Sequence, residues 1–205
     1  GRGLWGSDMY HSMPDADFTT SETTVPIGCA VDFTDISTGV PAYFQWSFPG
    51  ATPATSNLKN PKDIVYSTAG TYEVKLKVWN EFGADSITKS NYITVSNTLL
   101  PVVDFTADKN VLCGSGAVRF TDKSTHCPSS WIWSFNPANV IFMEGTSYTS
   151  QNPVVWFDSP GAYDVQLICT NAVGNETMTR ADYIIRDGYG LPFSENFSSG
   201  PDAQH

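Results

Sequence analysis

The chain has 205 residues, with 11 Lys and Arg against 21 Asp and Glu and a formal charge of −10. So few cations offer no basic footprint for a phosphate backbone and no polybasic attachment to a membrane surface. No apolar run approaches the roughly 18 residues of a spanning helix, and the length allows one or two domains. The chain opens at Gly1 with no charged-then-apolar leader, and it reads as a piece of something longer.

In chain order the predicted elements are short strands. The first set is expected near 16–20, 29–34, 42–48, 61–66, 71–79 and 85–95. The clearest signal is in 71–79, where Tyr72, Val74, Leu76 and Val78 alternate with Glu73, Lys75 and Lys77. Period two turns one face to a core and the other to water. A second set is expected near 103–107, 116–121, 130–136, 153–158, 162–170 and 176–186. There Tyr163, Val165, Leu167 and Cys169 repeat the same alternation. Gly, Pro, Asn, Ser and Thr fill the intervals, and no helical period reaches a dozen residues. Short strands with turn signals about every ten residues predict an all-β fold of two sandwiches.

The two sets are copies of one another. Asp17-Phe18-Thr19 returns as Asp104-Phe105-Thr106, a step of 87 residues. The register holds through Phe33-Thr34-Asp35 and Phe120-Thr121-Asp122, then Trp46-Ser47-Phe48 and Trp133-Ser134-Phe135. After a short insertion, Gly70-Thr71-Tyr72-Glu73-Val74 matches Gly161-Ala162-Tyr163-Asp164-Val165, and Asn80 and Gly83 match Asn171 and Gly174. A repeated unit of this size is a small domain used twice. A catalytic site built from scattered residues rarely survives duplication, which leans away from an enzyme.

These runs, with Phe44-Gln45-Trp46-Ser47-Phe48, Asn60-Pro61 and Asn80-Glu81-Phe82-Gly83, resemble PKD (polycystic kidney disease) repeats, and the second copy repeats the series. The resemblance implies two immunoglobulin-like sandwiches, at 15–96 and 102–187, joined by a linker at 97–101 too short to be a loose tether. Where the family often carries an acidic Asp-Gly turn, this chain has Pro49-Gly50 and Asn136-Pro137, so no role is carried over from that turn. Residues 1–14 read as the tail of a preceding domain. Arg2-Gly3-Leu4-Trp5-Gly6-Ser7-Asp8-Met9-Tyr10 resembles the close of the catalytic domain in secreted zinc metallopeptidases of the pappalysin and cytophagalysin type. Residues 188–205 read as the start of a following domain or a tail. Leu191-Pro192-Phe193-Ser194-Glu195-Asn196-Phe197 resembles the opening strand of a jelly roll. The resemblance therefore implies a module secreted or displayed on a bacterial surface beside a metallopeptidase.

No catalytic residue is expected within the chain. The histidines are His11, His126 and His205, and no His-Glu-x-x-His or Gly-x-Ser-x-Gly motif occurs. Asp32 and Asp35 lie on opposite faces of a strand and its turn and read as solvated acids. No cofactor is expected. Some PKD-like domains bind calcium through Asp, Asn and backbone oxygens, but no Asp-x-Asp-x-Asp-Gly loop supports that here.

Cys29 is alone in the first copy, while Cys113, Cys127 and Cys169 fall in the second. In an immunoglobulin-like sandwich the loop after the second strand and the end of the sixth strand share one pole. That topology favours a Cys127–Cys169 bridge over one to Cys113, with four reduced thiols as the alternative. Trp46 and Trp133 occupy the position of a sandwich core tryptophan. Trp79, Trp131 and Trp156 have no tryptophan at the matching place in the other copy. Trp131 shares the facing of Trp133, at the edge of the core. Trp79 faces opposite to Val78, hence outward, and is the candidate ligand-binding residue, because an exposed ring can stack on sugars or fibrous chains. Two functions stay open: a stiff spacer between neighbouring domains of the same chain, and a module binding an extracellular protein or polysaccharide through exposed aromatics.

Overall fold

Alternating side chains give two-faced strands, and the strands pair so that their apolar faces meet. The computed structural model describes residues 12–188, so the readings made on 1–11 and 189–205 lie outside the described residues. The first copy forms β1 (Phe18–Thr20), β2 (Thr24–Pro26), β3 (Ala30–Val31), β4 (Phe33–Asp35), β5 (Tyr43–Ser47), β6 (Ala51–Thr52), β7 (Thr55–Ser56), β8 (Ile64–Tyr66), β9 (Gly70–Asn80) and β10 (Gly83–Ser96). The second forms β11 (Phe105–Ala107), β12 (Val111–Leu112), β13 (Gly116–Asp122), β14 (Ser130–Asn136), β15 (Val140–Met143), β16 (Val154–Phe157), β17 (Gly161–Thr170) and β18 (Asn175–Arg186). In the first copy one sheet runs β2-β10-β9-β5-β7, and the pair β1-β4 and the three strands β3-β8-β6 complete the sandwich. In the second copy the sheets are β12-β18-β17-β14 and β11-β13-β16-β15. No helix occurs among the described residues. Both copies are immunoglobulin-like all-β sandwiches.

Five strands were not expected: β2, β6, β7, β12 and β15. Each is two to four residues long, too short to show a period. β2 and β12 pair parallel with the ends of β10 and β18, Val25 opposite Val95 and Val111 opposite Ile185.

The repeated motifs prove to be repeated bonds. Trp46 and Trp133 are buried, and their indole N–H groups donate to Leu58 O and Ser150 O, both at 2.9 Å. The Asn-Pro pairs stitch one strand twice over. Asn60 Oδ1 accepts the Asp35 N–H at 2.9 Å and Pro61 O accepts that of Phe33 at 2.9 Å. Asn152 and Pro153 do the same for Asp122 and Phe120, at 2.8 and 3.0 Å. The tyrosine of each Gly-x-Tyr run turns its hydroxyl to a backbone carbonyl, Tyr72 to Thr68 O at 2.7 Å and Tyr163 to Ser159 O at 2.8 Å.

Asn80 and Asn171 hold the segment that leads into each copy. The Asn80 amide donates to Ser12 O at 3.0 Å and Gly39 O at 2.9 Å. Asn171 donates to Leu99 O at 3.0 Å and His126 O at 2.9 Å. The glycine that follows leaves room for the lead-in side chain. A Cβ on Gly83 would lie 2.7 Å from Met13 Cγ, and one on Gly174 would lie 2.7 Å from Leu100 Cδ2.

The described chain divides into two compact units. The first runs to Val102 and takes in Ser124–Ser129 and Cys169–Glu176; the second holds Val103–Lys123, Ser130–Ile168 and the chain from Thr177. This corrects the expected Cys127–Cys169 bridge. The 124–129 loop belongs to the first unit, and there Cys127 is disulfide-bonded to Cys29, with Cα atoms 5.9 Å apart. Cys169 is buried on the inner face of β17, where Val78 stands in the first copy, with its Sγ 3.3 Å from Ser124 Oγ.

Asp17 and Asp104 each receive a cation from the last strand of their copy. Lys89 Nζ lies 2.7 Å from Asp17 Oδ1, and Arg180 Nη2 lies 2.7 Å from Asp104 Oδ1. The same cations sit over Phe18 and Phe105, at 4.5 and 4.9 Å from the ring centres. The Lys89 hydrogen bond, followed by the Phe18 N–H, holds the Asp17 carboxyl below its ordinary value. A depressed carboxyl contributes stability above its unfolded pKa of about 4 and loses it as pH falls through the lower folded value. Lys89→Met should cost about 0.5–1 kcal/mol at pH 6, since the pair is partly exposed, and the gap to the parent should narrow towards pH 3. Urea midpoints across that range measure it, and a gap that widens on acidification would contradict the assignment.

Tyr66 is fully buried beside Tyr72, and its hydroxyl has no hydrogen-bond partner. Phe157 stands at the same place in the second copy, against Tyr163. Burial, with Tyr72 adding to it, pushes the Tyr66 phenol up to about 12. An orphaned buried hydroxyl costs on the order of 1 kcal/mol or more, so Tyr66→Phe should stabilise the protein by about 1 kcal/mol at neutral pH. It should also reduce the loss of stability that begins above the unfolded tyrosine value of about 10. Chemical denaturation at pH 7 and pH 11 tests both effects, and a destabilised variant would contradict them.

Candidate functional site

The outer face of the β5–β9 pair carries the candidate site. Trp46 opposite Leu76 and Phe44 opposite Val78 turn their side chains towards the core. Period two then places Tyr43 opposite Trp79, Gln45 opposite Lys77 and Ser47 opposite Lys75 on the other face. The Tyr43 and Trp79 rings stack, with centroids 5.4 Å apart and planes 18° from parallel. Tyr43 is 58% exposed and Trp79 half-buried. The Ala42 N–H donates to Trp79 O at 3.0 Å and ties the start of β5 to the end of β9. An open cleft of about 320 Å³ lies against the pair, lined by Ala42, Tyr43, Phe44, Gln45, Asn57 and Trp79.

Around the rings the face is polar. Lys77 Nζ sits 5.7 Å from the Trp79 ring centre, within cation–π reach. Ala84, Ser86 and Thr88 of β10 are exposed opposite Trp79, Lys77 and Lys75. The arrangement supplies a rigid aromatic surface ringed by amides, hydroxyls and lysine. Such a surface can stack on a planar or ring-shaped group and hydrogen-bond its edges.

The fold does not require these side chains. The second copy has Ser130 and Thr170 at the places of Tyr43 and Trp79, and Gln166 and Ile168 at those of Lys75 and Lys77. The same backbone tie survives there, with the Ser129 N–H donating to Thr170 O at 2.8 Å. Sequence reasoning singled out Trp79 and missed Tyr43 and Lys77. The signal for Tyr43 was available, because an aromatic three residues before the core Trp46 falls on the outer face.

The other singled-out residues serve structure. Trp131 is half-buried and its indole donates to Asp122 Oδ2 at 2.8 Å. Trp156 is half-buried on β16 between Ala117 and Ile141. His126 Nδ1 lies 2.8 Å from Leu100 O. Asp32 accepts the Asp63 N–H and faces Lys62, while Asp35 is buried and faces Lys59. Among the described residues no three His, Cys, Asp or Glu side chains cluster as metal ligands. His11 and His205 lie outside the described residues.

The family described as PKD domain matches residues 15–92. No curated protein matches the chain. Among solved structures the chain is similar to a carbohydrate-binding module of the β-sandwich superfamily, at 20% identity and a TM-score of 0.37, over 77% of this chain and 59% of that one. It is similar to the mouse nectin-like molecule 4 ectodomain at 12% identity and a TM-score of 0.35, over 88% and 67%. It is also similar to the I67–I69 fragment of titin at 14% identity and a TM-score of 0.31, over 85% and 66%. The chain thus spans less than two thirds of the carbohydrate-binding chain it matches. Residues 15–92 match the PKD domain, and from Asp104 onward the chain repeats the sequence motifs of that segment and the bonds they make.

Proposed function

We propose that the chain is a non-catalytic tandem PKD module, with repeats at 15–96 and 102–187, that binds an extracellular polymer and positions neighbouring domains. The observation that carries the binding role is the exposed Tyr43–Trp79 stack, present in one copy and dispensable to the fold in the other. A stacked pair held by two interior strands loses little freedom when a ligand settles on it. The Cys29–Cys127 disulfide supports an oxidising compartment, hence secretion or display on a cell surface. The resemblance of residues 2–10 to the close of a metallopeptidase domain supports an enzyme as the upstream neighbour. Positioning is favoured by Asn80 and Asn171, which anchor the segments leading into the two copies.

Pull-down on insoluble collagen, chitin, cellulose, cross-linked polygalacturonate and bacterial envelope material tests the binding role. Trp79→Ala should weaken retention by about 2 kcal/mol, roughly thirtyfold in affinity, and Tyr43→Ala should weaken it as well. Thermal unfolding of each variant separates loss of binding from loss of fold. Equal retention of parent and Trp79→Ala would contradict the platform. A parent retained by none of the polymers would leave the spacer role alone.

A further inference from the structure

We propose that the polymer is an anionic polysaccharide, a sugar ring lying on Trp79 and Tyr43 and its carboxylate or sulfate reached by Lys77 and Lys75. The inference rests on the aromatic platform as the binding surface. Its own support is the placement of charge. Lys59, Lys62, Lys89, Arg119 and Arg180 each meet a carboxylate, in a chain that has 21 acidic residues. Among the described residues Lys75, Lys77, Lys109, Lys123 and Arg186 form no ion pair, and of these Lys75 and Lys77 are exposed neighbours on one outer face, two residues apart on β9. The outward positions of β5 and β10 beside them, Tyr43, Gln45, Ser47, Ala84, Ser86 and Thr88, carry no acid. A rise of about 3.3 Å per residue puts Lys77 about 7 Å and Lys75 about 13 Å beyond Trp79 along β9. The nearest outward acid on that strand, Glu73, lies a further two residues away. A row of cations leading from an aromatic platform on an acidic protein is complementary to a chain that bears charge at intervals.

The surroundings favour a glycan over a polypeptide. Gln45, Asn57, Ser86 and Thr88 are exposed neutral groups that can both donate and accept hydrogen bonds, as sugar hydroxyls demand. β9 lies between β10 and β5 and β7 closes β5 at Trp46 and Ser47, so an extended peptide could add only along the three residues Tyr43 to Gln45.

Affinity electrophoresis and titration calorimetry test this on the whole chain. The probes are soluble polygalacturonate, dextran sulfate, neutral hydroxyethylcellulose and gelatin. The proteins are the parent, Trp79→Ala and the double variant Lys75→Gln/Lys77→Gln, each at low and at 0.3 M salt. The parent should bind one or both anionic polymers more tightly than hydroxyethylcellulose, and which of the two identifies the charged group. The double variant should lose roughly three- to tenfold in affinity for that polymer and most of its salt dependence. Trp79→Ala should lose more.

Equal binding of hydroxyethylcellulose, unchanged in the double variant, would overturn the anionic ligand while leaving the platform in place. Anionic binding that is unchanged in Trp79→Ala would overturn the platform itself. Binding of gelatin alone, or of no probe, would also overturn the proposal.

Discussion

The burial of Trp46 is the constraint on which the rest of the first repeat depends. Its indole is packed against Phe18 at 5.2 Å and against Phe33 and Phe48 at 5.8 Å, and its N–H is satisfied by Leu58 O. With Trp46 inward and opposite Leu76, the alternation of β5 and β9 leaves only one facing for Tyr43 and Trp79. A slip of one residue would bury Tyr43 and Gln45 and expose the core indole, a change whose cost fixes the register. The outer platform is therefore the reverse side of the core and inherits its rigidity.

The second copy separates what the sandwich needs from what the first copy adds. Trp133, the Asn152-Pro153 stitch, Tyr163, Asn171 and the Asp104–Arg180 pair recur with nearly the same distances. The details vary where chemistry allows, as with Phe157 in place of Tyr66 and arginine in place of lysine beside the leading Asp. Nothing comparable preserves the outer face, where Ser130 and Thr170 replace the stacked rings. Core positions are held by mutual packing, whereas outward positions answer only to solvent and to ligands.

How much was legible in the sequence follows the same division. The alternation in β9 and β17 and the recurrence of Trp46 as Trp133 were readable because core contacts impose a period and a repeat. The two- and three-residue strands β2 and β12 were not, since pairing with a strand far along the chain leaves no local signature. The bond from Cys127 to Cys29 escaped because the 124–129 loop belongs to the first compact unit, a fact carried by tertiary contacts rather than spacing. Trp79 could be assigned outward from period two alone. The outward facing of Tyr43 was readable in the same way from Trp46, whereas its stacking on Trp79 depends on the β5–β9 register, a non-local quantity.

The central claim is that ligand contact occurs on the outer face of β5 and β9 while the core behind it stays fixed. The most direct measurement is a two-dimensional NMR titration that follows the tryptophan indole N–H signals as charged and neutral oligosaccharides are added. The account predicts that the Trp79 signal moves on saturation with a charged oligosaccharide, while those of Trp46 and Trp133, hydrogen-bonded inside the two sandwiches, do not. A ligand that shifts Trp131 or Trp156 and leaves Trp79 unmoved would contradict it.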